Sequence, residues 1–133
     1  LTGLNNRRKL NRYLEMKLNA ADANAGLFLM MIDADNFKVV NDTHGHTSGD
    51  RALIAIAGIL KDLCSGSNYF LSRLGGDEFV VFGHNPNPDM PEILAAQIEA
   101  RINQFNQVTT EPFRLSLSIG WARFTPPECE APR

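Results

Sequence analysis

Three carboxylates lie where a folded domain has little structural use for them. Asp77 and Glu78 directly follow a glycine pair, Gly75-Gly76, at the tip of a predicted hairpin, and Asp33 follows a continuous apolar run. Carboxylates gathered at one edge of a sheet repel each other unless a cation neutralises them. Hard divalent cations such as Mg²⁺ bind one or two carboxylates together with substrate phosphates, and two such ions can hold an in-line phosphoryl displacement. These residue types therefore indicate metal-dependent phosphoryl transfer.

Each acid also has a purely structural interpretation. Asp33 can cap a helix that begins near Asn36, Asp77 can be a polar turn residue, and Glu78 can be solvated on an edge strand. Taken singly, the structural interpretation of each acid is favoured. Taken together, beside glycines that let a ligand approach the backbone, the three acids favour the metal site.

A second pair, Asn41 and Asp50, has the groups to read a purine. A carboxylate accepts well from the N1–H and amino group of guanine, and a side-chain amide both donates and accepts. The alternative is helix-end chemistry, with Asn41 as a C-terminal cap and Asp50 in the first turn of the next helix. Spacing alone favours the helix-end interpretation.

The start of the helix predicted after Asp35 offers a phosphate cradle. Backbone N–H groups near Asn36 and Phe37 lie at this helix start, where anions bind. Lys38 can add a positive charge, although a lone lysine is more often a solvated surface residue.

The apolar pattern predicts the elements that position these residues. The predicted strands are Leu27–Ile32, a hairpin of Tyr69–Ser72 with Val80–Phe82, and Phe113–Trp121. The predicted helices are Asn5–Ala21, Asn36–Asp42, a third capped by Thr47 or Ser48, and Pro91–Asn106. This order resembles the split β-α-β-β-α-β layout, so we expect an α+β fold with an antiparallel-containing central sheet and helices packed around it. In such a sheet the first strand can lie beside the hairpin, which would bring the three acids together.

The composition suits one domain over residues 1–133. A net charge of −2 gives no general attraction to nucleic acid or to an anionic membrane, so we expect neither as a partner. No run approaches the ~18 apolar residues of a membrane span. Cys64 and Cys129 form no CxxC pair, and Cys64 is predicted to be a core thiol in a reducing, cytoplasmic compartment. A start without methionine indicates a piece of a longer protein, which can itself be membrane-anchored.

Four blocks of sequence, in order, resemble the GGDEF domain of diguanylate cyclases. They are Leu1–Leu4 with Asn6–Arg8, Asp33–Lys38 with Asn41-Asp42, His44–His46 with Gly49-Asp50, and Arg73–Phe79. A late segment, Leu115–Gly120, also fits. The resemblance spans nearly the whole chain and implies the ferredoxin-like, polymerase-palm-like fold of nucleotidyl cyclases.

The resemblance implies condensation of two GTP into cyclic di-GMP with release of two pyrophosphates. Each domain of a homodimer holds one GTP, and the 3′-hydroxyl of each GTP attacks the α-phosphate of the other. Asp33 and Asp77 then coordinate Mg²⁺ (or Mn²⁺) with help from the Ala34 carbonyl, and Glu78 is a further acid at the metal. Either Asp77 or Glu78 helps to deprotonate the 3′-hydroxyl.

The resemblance also assigns the substrate contacts and reverses the interpretation of Asn41 and Asp50, which become guanine ligands with His46 nearby. The implied substrate-binding residues are Asn36, Phe37, Lys38, Asn41, His46, Asp50, Gly75 and Gly76. Fused sensory or effector domains are expected in the parent protein.

Two departures from the family pattern matter. The family's product-inhibition motif, RxxD, would fall at Gly66–Tyr69, which reads Gly-Ser-Asn-Tyr, so we expect no product feedback there. The family's last helix, with its Lys and Arg phosphate contacts, has no counterpart in Thr125–Arg133. That absence motivates an alternative function: a weak or inactive GTP-sensing module that regulates an attached effector domain.

Overall fold

The computed structural model describes Arg12 and residues 26–124 of the chain. The predicted helix Asn5–Ala21, apart from the helical Arg12, lies outside the described residues, as do Cys129 and the tail from Thr125. Within residues 26–124 the elements in chain order are β1 (Leu27–Ala34), α1 (Phe37–His44), α2 (His46–Cys64), β2 (Phe70–Gly75), β3 (Glu78–His84), α3 (Met90–Val108) and β4 (Leu117–Phe124).

The four strands form one antiparallel sheet in the order β2-β3-β1-β4. The first strand therefore lies beside the hairpin, as the split layout predicts, and the α+β fold is confirmed. The β1–β3 ladder runs from the pair Leu27 and His84 to the pair Asp33 and Glu78. This register alone brings two of the three predicted acids to facing positions.

The sheet has one face that packs on helices α2 and α3. Phe28, Met30 and Ile32 alternate along β1 and are fully buried in the main core, together with Phe79 of β3. The opposite face is also apolar, with Leu27 of β1 buried in a second cluster. Because this face buries Leu27 and partly buries Leu29 and Met31, β1 is a continuous apolar run rather than an alternating one.

The buried stripes of the long helices follow the predicted 3.6-residue period. The buried apolar residues of α2 are Ala52, Leu53, Ile56, Ala57, Ile59, Leu60 and Cys64, and those of α3 include Leu94, Ala95, Ile98 and Ile102. Both stripes belong to the same core cluster as the helix-facing side of the sheet. No helix in the described part of the chain is long and apolar enough to cross a bilayer.

All four strands differ in their bounds from the prediction, and the two hairpin strands extend further towards the turn, to Gly75 and from Glu78. β1 continues two residues past Ile32, so Asp33 lies within the strand, because β3 and β4 both extend the ladder there. β4 spans Leu117–Phe124 rather than Phe113–Trp121. Phe113 and Leu115 are buried, and their alternation with polar residues is the pattern of a strand. The pairing with β1 begins only at Leu117, so these residues lie outside β4.

The helix boundaries near the candidate site also differ. α1 spans Phe37–His44 rather than Asn36–Asp42. The predicted caps of α2 were wrong, since the helix begins at His46 and Gly45 occupies the N-cap position. Gly45 has φ +89°, a conformation that glycine adopts freely, so the chain passes from α1 to α2 through this single residue. α3 spans Met90–Val108, three residues longer than Pro91–Asn106.

The predicted core thiol is confirmed: Cys64 is a free, buried cysteine, and burial raises its pKa from 9.0 to about 11. Because the raised pKa belongs to the folded state, the protonated thiol stabilises the fold fully below pH 9. That stabilisation is lost as the pH rises from about 9 to 11.

We therefore expect the stability difference between a Cys129→Ser variant and a Cys64→Ala/Cys129→Ser variant to shrink over this pH range. Denaturant titrations from pH 7 to 11 measure the difference, and groups common to both proteins cancel. A difference that stays constant up to pH 11 would show that the thiol is not desolvated.

Candidate active site

Two carboxylates face each other at the end of the central strand pair. Asp33 of β1 is directly opposite Glu78 of β3, a position at which Cβ atoms are about 4.5–5.5 Å apart. Both residues are exposed. Their sequence neighbours Ile32, Ala34 and Phe79 are buried in the core under the helices, so both carboxylates project from the other face of the sheet.

Asp77 lies in the turn next to this pair. Gly76 and Asp77 form the two-residue loop between the paired residues Gly75 and Glu78. The backbone N–H of Ala34 donates to the carbonyl of Asp77 at 3.0 Å, which ties the turn to the end of β1. The three acids therefore share one edge of the sheet.

These acids have no competing partners within the described part of the chain. No hydrogen bond or ion pair joins Asp33, Glu78 or the carboxylate of Asp77 to another described side chain. Among the described residues, no group of three or more Asp, Glu, His or Cys side chains is arranged to hold a metal ion without other ligands. A cation at this edge would thus need further ligands from a substrate.

The hairpin tip has open space next to its glycines, and hydrogen bonds from Arg73 fix the conformation of its backbone. Gly76 has φ +46°, and a Cβ added to Gly75 or Gly76 would meet no atom within 4 Å. The guanidinium of Arg73 donates from Nε and Nη2 to the Gly76 carbonyl, at 2.9 and 2.7 Å. The turn is therefore held by its own arginine while space for a ligand remains next to its backbone.

The start of α1 presents backbone donors near the same edge. Asn36 adopts the left-handed conformation, with φ 58° and ψ 23°, and its side chain makes no capping hydrogen bond. The first N–H groups of an α-helix lack partners within the helix and bind anions. Phe37 and Lys38 supply the first two of these groups, and the Lys38 side chain is exposed.

Asn41 has a buried side-chain oxygen without a hydrogen-bond partner. The Gly45 N–H bonds to the backbone carbonyl of Asn41 at 2.8 Å, so the side chain does not cap α1. Asp50 lies beyond the first turn of α2 and is exposed. The helix-end interpretation of Asn41 and Asp50, which spacing alone favoured, was therefore wrong.

Comparison with known proteins gives a match over the whole chain. The family described as diguanylate cyclase, GGDEF domain, matches residues 1–133. The chain belongs to the GGDEF domain family of diguanylate cyclases. A relative from Escherichia coli K12, diguanylate cyclase DgcN, is 36% identical over 124 residues, which are 92% of this chain and 30% of DgcN. The chain thus spans less than a third of that relative.

Solved structures share the fold. The GGDEF domain of DgcB from Caulobacter crescentus, in complex with c-di-GMP, superimposes with a TM-score of 0.83 at 24% identity, covering 95% of this chain and 76% of that one. The GGDEF domain of PA1120 from Pseudomonas aeruginosa has a TM-score of 0.81 at 30% identity, covering 95% and 77%. The Gly75–Phe79 hairpin is thus the signature of a GGDEF domain in a fold typical of the family.

The position at which the family resemblance predicts the product-inhibition aspartate is occupied by Tyr69, which is partly buried against the core. The ring of Tyr69 contacts Phe28 edge-to-face, with centroids 5.1 Å apart, and its hydroxyl accepts a hydrogen bond from Asn85 at 3.0 Å. Gly83 has no side chain to compete with the Tyr69 ring, which a Cβ there would overlap. Tyr69 therefore packs into the fold instead of presenting a carboxylate.

Gly49 packs against a predicted site residue, although no sequence motif singled it out. A Cβ at Gly49 would overlap the Oδ1 atom of Asn41 and approach the Phe37 ring at 3.3 Å. A glycine inside a regular helix costs about 1 kcal/mol relative to alanine, so its presence in α2 was the available signal. The absent side chain makes room for the Asn41 amide.

We expect Gly49→Ala to destabilise the fold by about 1–3 kcal/mol, because the Asn41 side chain must move out of a packed position. Gly58→Ala is the matched control, since Gly58 lies in the same helix and a Cβ there meets nothing within 4 Å. The control should stabilise the fold by about 0.5–1 kcal/mol through helix propensity. Urea unfolding of both variants makes the comparison; equal effects would contradict the close contact at Gly49.

Proposed function

We propose that this domain condenses two GTP into cyclic di-GMP and two pyrophosphates, dependent on Mg²⁺ (or Mn²⁺), at the interface of two copies. The proposal rests on one observation: Asp33 and Glu78 lie opposite each other at the edge of the sheet, beside the turn that contains Asp77. Family membership supplies the reaction class.

The donor set at this edge fits a magnesium ion that also binds substrate. Mg²⁺ commonly uses one or two carboxylates plus substrate phosphates, and it does not need an all-protein cage. Asp33, Asp77 and the Ala34 carbonyl would hold the metal, with Glu78 as a further acid. When bound, the metal would supply Lewis-acid stabilisation of charge on the α-phosphate.

The phosphates of GTP would lie between the hairpin tip and the start of α1. The open backbone at Gly75 and Gly76 allows close approach, and the first N–H groups of α1 at Phe37 and Lys38 favour negative charge. The left-handed Asn36 directs the chain into this helix start. The Lys38 ammonium adds a point charge.

Guanine recognition would use Asn41 of α1 and Asp50 of α2. The unpartnered Oδ1 of Asn41 is an acceptor whose burial without a hydrogen bond costs about 1–3 kcal/mol, and a purine N–H would relieve that cost. Asp50 would accept from the N1–H and amino group, with His46 at the start of α2 nearby.

The chemical step would need a second domain. In this proposal one copy binds one GTP, and the 3′-hydroxyl of that GTP attacks the α-phosphate of the GTP on the partner copy. Asp77 or Glu78 would accept the 3′-hydroxyl proton. Because the chain spans 30% of its E. coli relative, we also propose that neighbouring domains of the parent protein control this pairing.

We expect Asp77→Ala, and separately Asp33→Asn, to lower kcat at least about 10²-fold, because each removes charge stabilisation at the reacting phosphate. Purified full-length protein incubated with GTP and Mg²⁺ provides the assay, with cyclic di-GMP quantified by mass spectrometry. Asp62→Ala is the matched carboxylate control, since Asp62 only pairs with Arg101 on the helices and should leave kcat unchanged. GTP binding without product in the wild type would instead favour the GTP-sensing regulatory module.

We expect Asn41→Ala and Asp50→Ala each to raise the KM for GTP by about tenfold or more, since hydrogen bonds that involve a charged or buried group contribute about 1–3 kcal/mol. Saturation kinetics with GTP measure KM, and ATP should not be a substrate of the wild type. An unchanged KM in both variants, or efficient use of ATP, would exclude this pair as the guanine site.

A further inference from the structure

The carboxylate of Asp35 is held by two serines, one within and one just before the neighbouring strand β4. Its Oδ2 accepts from the Ser116 hydroxyl at 2.9 Å, and its Oδ1 accepts from the Ser118 hydroxyl at 2.6 Å. The Asp35 backbone N–H also donates to the Ser116 carbonyl at 2.8 Å. We call these three residues the Asp35 clasp.

The clasp acts at the point where the chain leaves the sheet. The β1–β4 ladder ends with the pair Ala34 and Leu117, and the Asp35 N–H adds one more bond beyond it. The next residue, Asn36, adopts the left-handed conformation, which is uncommon for residues other than glycine and which asparagine adopts more readily than most. The clasp lies directly before this residue and α1 directly after it.

The clasp also separates the charge of Asp35 from that of Asp33. The two acids are two residues apart and project from the same side of the chain. Both serine hydroxyls donate to Asp35, including that of Ser118, which is the cross-strand partner of Asp33. Asp35 is therefore satisfied at β4, while Asp33 remains available opposite Glu78 on the other side of β1.

We infer that Asp35 is a positioning residue: with Ser116 and Ser118 it holds the β1–α1 loop so that the Asp33 carboxylate and the α1 backbone donors face the same phosphates. This inference rests on the proposed function, in which the loop joins the metal ligand to the phosphate cradle. Asp35 itself touches neither substrate nor metal. Since catalytic groups tolerate little displacement, the loss of the clasp lowers the rate rather than the affinity for guanine.

The test is a mutant cycle in the full-length protein with GTP and Mg²⁺, using Asp35→Ala, the Ser116→Ala/Ser118→Ala double variant and the triple variant. We expect Asp35→Ala and the serine pair each to lower kcat by about tenfold to a hundredfold. The triple variant should lower kcat no further than Asp35→Ala or the serine pair does alone. All three variants break the same set of hydrogen bonds, so their effects should not add. KM for GTP should change by less than about threefold, since Asn41 and Asp50 are untouched.

Conservative rescue separates positioning from direct participation. In Asp35→Asn the amide oxygen can accept from one serine and the amide nitrogen can donate to the other, so kcat should stay within about threefold of wild type. The inference is overturned if Asp35→Ala is much more damaging than the serine pair, if their effects multiply in the triple variant, or if kcat does not change. Asp62→Ala again serves as the exposed-carboxylate control.

Hydrogen exchange distinguishes failure of the clasp from failure of the proposed function. The Val40 N–H donates to the Asn36 carbonyl at 3.0 Å, and its protection reports the start of α1. Asp35→Ala and the serine pair should raise exchange at Asp35 and Val40 while leaving the β1–β3 amides protected. Unchanged exchange at both amides refutes the clasp. A wild-type protein that makes no product refutes only the proposed function.

Discussion

The pairing of β1 with β3 on one side and with β4 on the other is the constraint on which the site depends. Because the ladder with β3 ends at Asp33 and Glu78, two carboxylates must share one edge. Because the ladder with β4 continues to Asp35 through Ser116, the loop that follows is held from the opposite side. A shift of one residue in either register would turn these polar groups to the other face of the sheet.

This arrangement places three acidic side chains at one edge of a well-packed sheet. Asp33, Asp77 and Glu78 lie at one edge without cationic partners among the described residues, and like charges at this range destabilise a fold. The apolar cluster around Phe28, which is fully buried, lies in the same strands and offsets that cost. The packed strands therefore hold these acids together at one edge of the sheet.

Small residues decide how α1 and α2 meet. Gly45 turns the chain between the helices, and Gly49 leaves the space that the Asn41 side chain occupies. The buried Asn41 oxygen without a partner is the clearest unsatisfied group of the described chain. Two glycines thus decide where the Asn41 amide lies between the two helices.

The sequence by itself determined the α+β class, the buried first strand, the acidic hairpin and the burial of the Cys64 thiol. Apolar periodicity and turn residues are local signals, so a sequence pattern can show them. Spacing alone placed Asn41 and Asp50 at helix ends, which was wrong, and no sequence pattern singled out Gly49 or the Asp35 clasp. Only the tertiary structure decided the surroundings of Gly49 and Asp35, since Asp35 meets Ser118 across 83 positions of sequence and the contact of Asn41 with Gly49 requires two helices to pack. Contacts of that kind are set by strand register and helix packing, which no local pattern encodes.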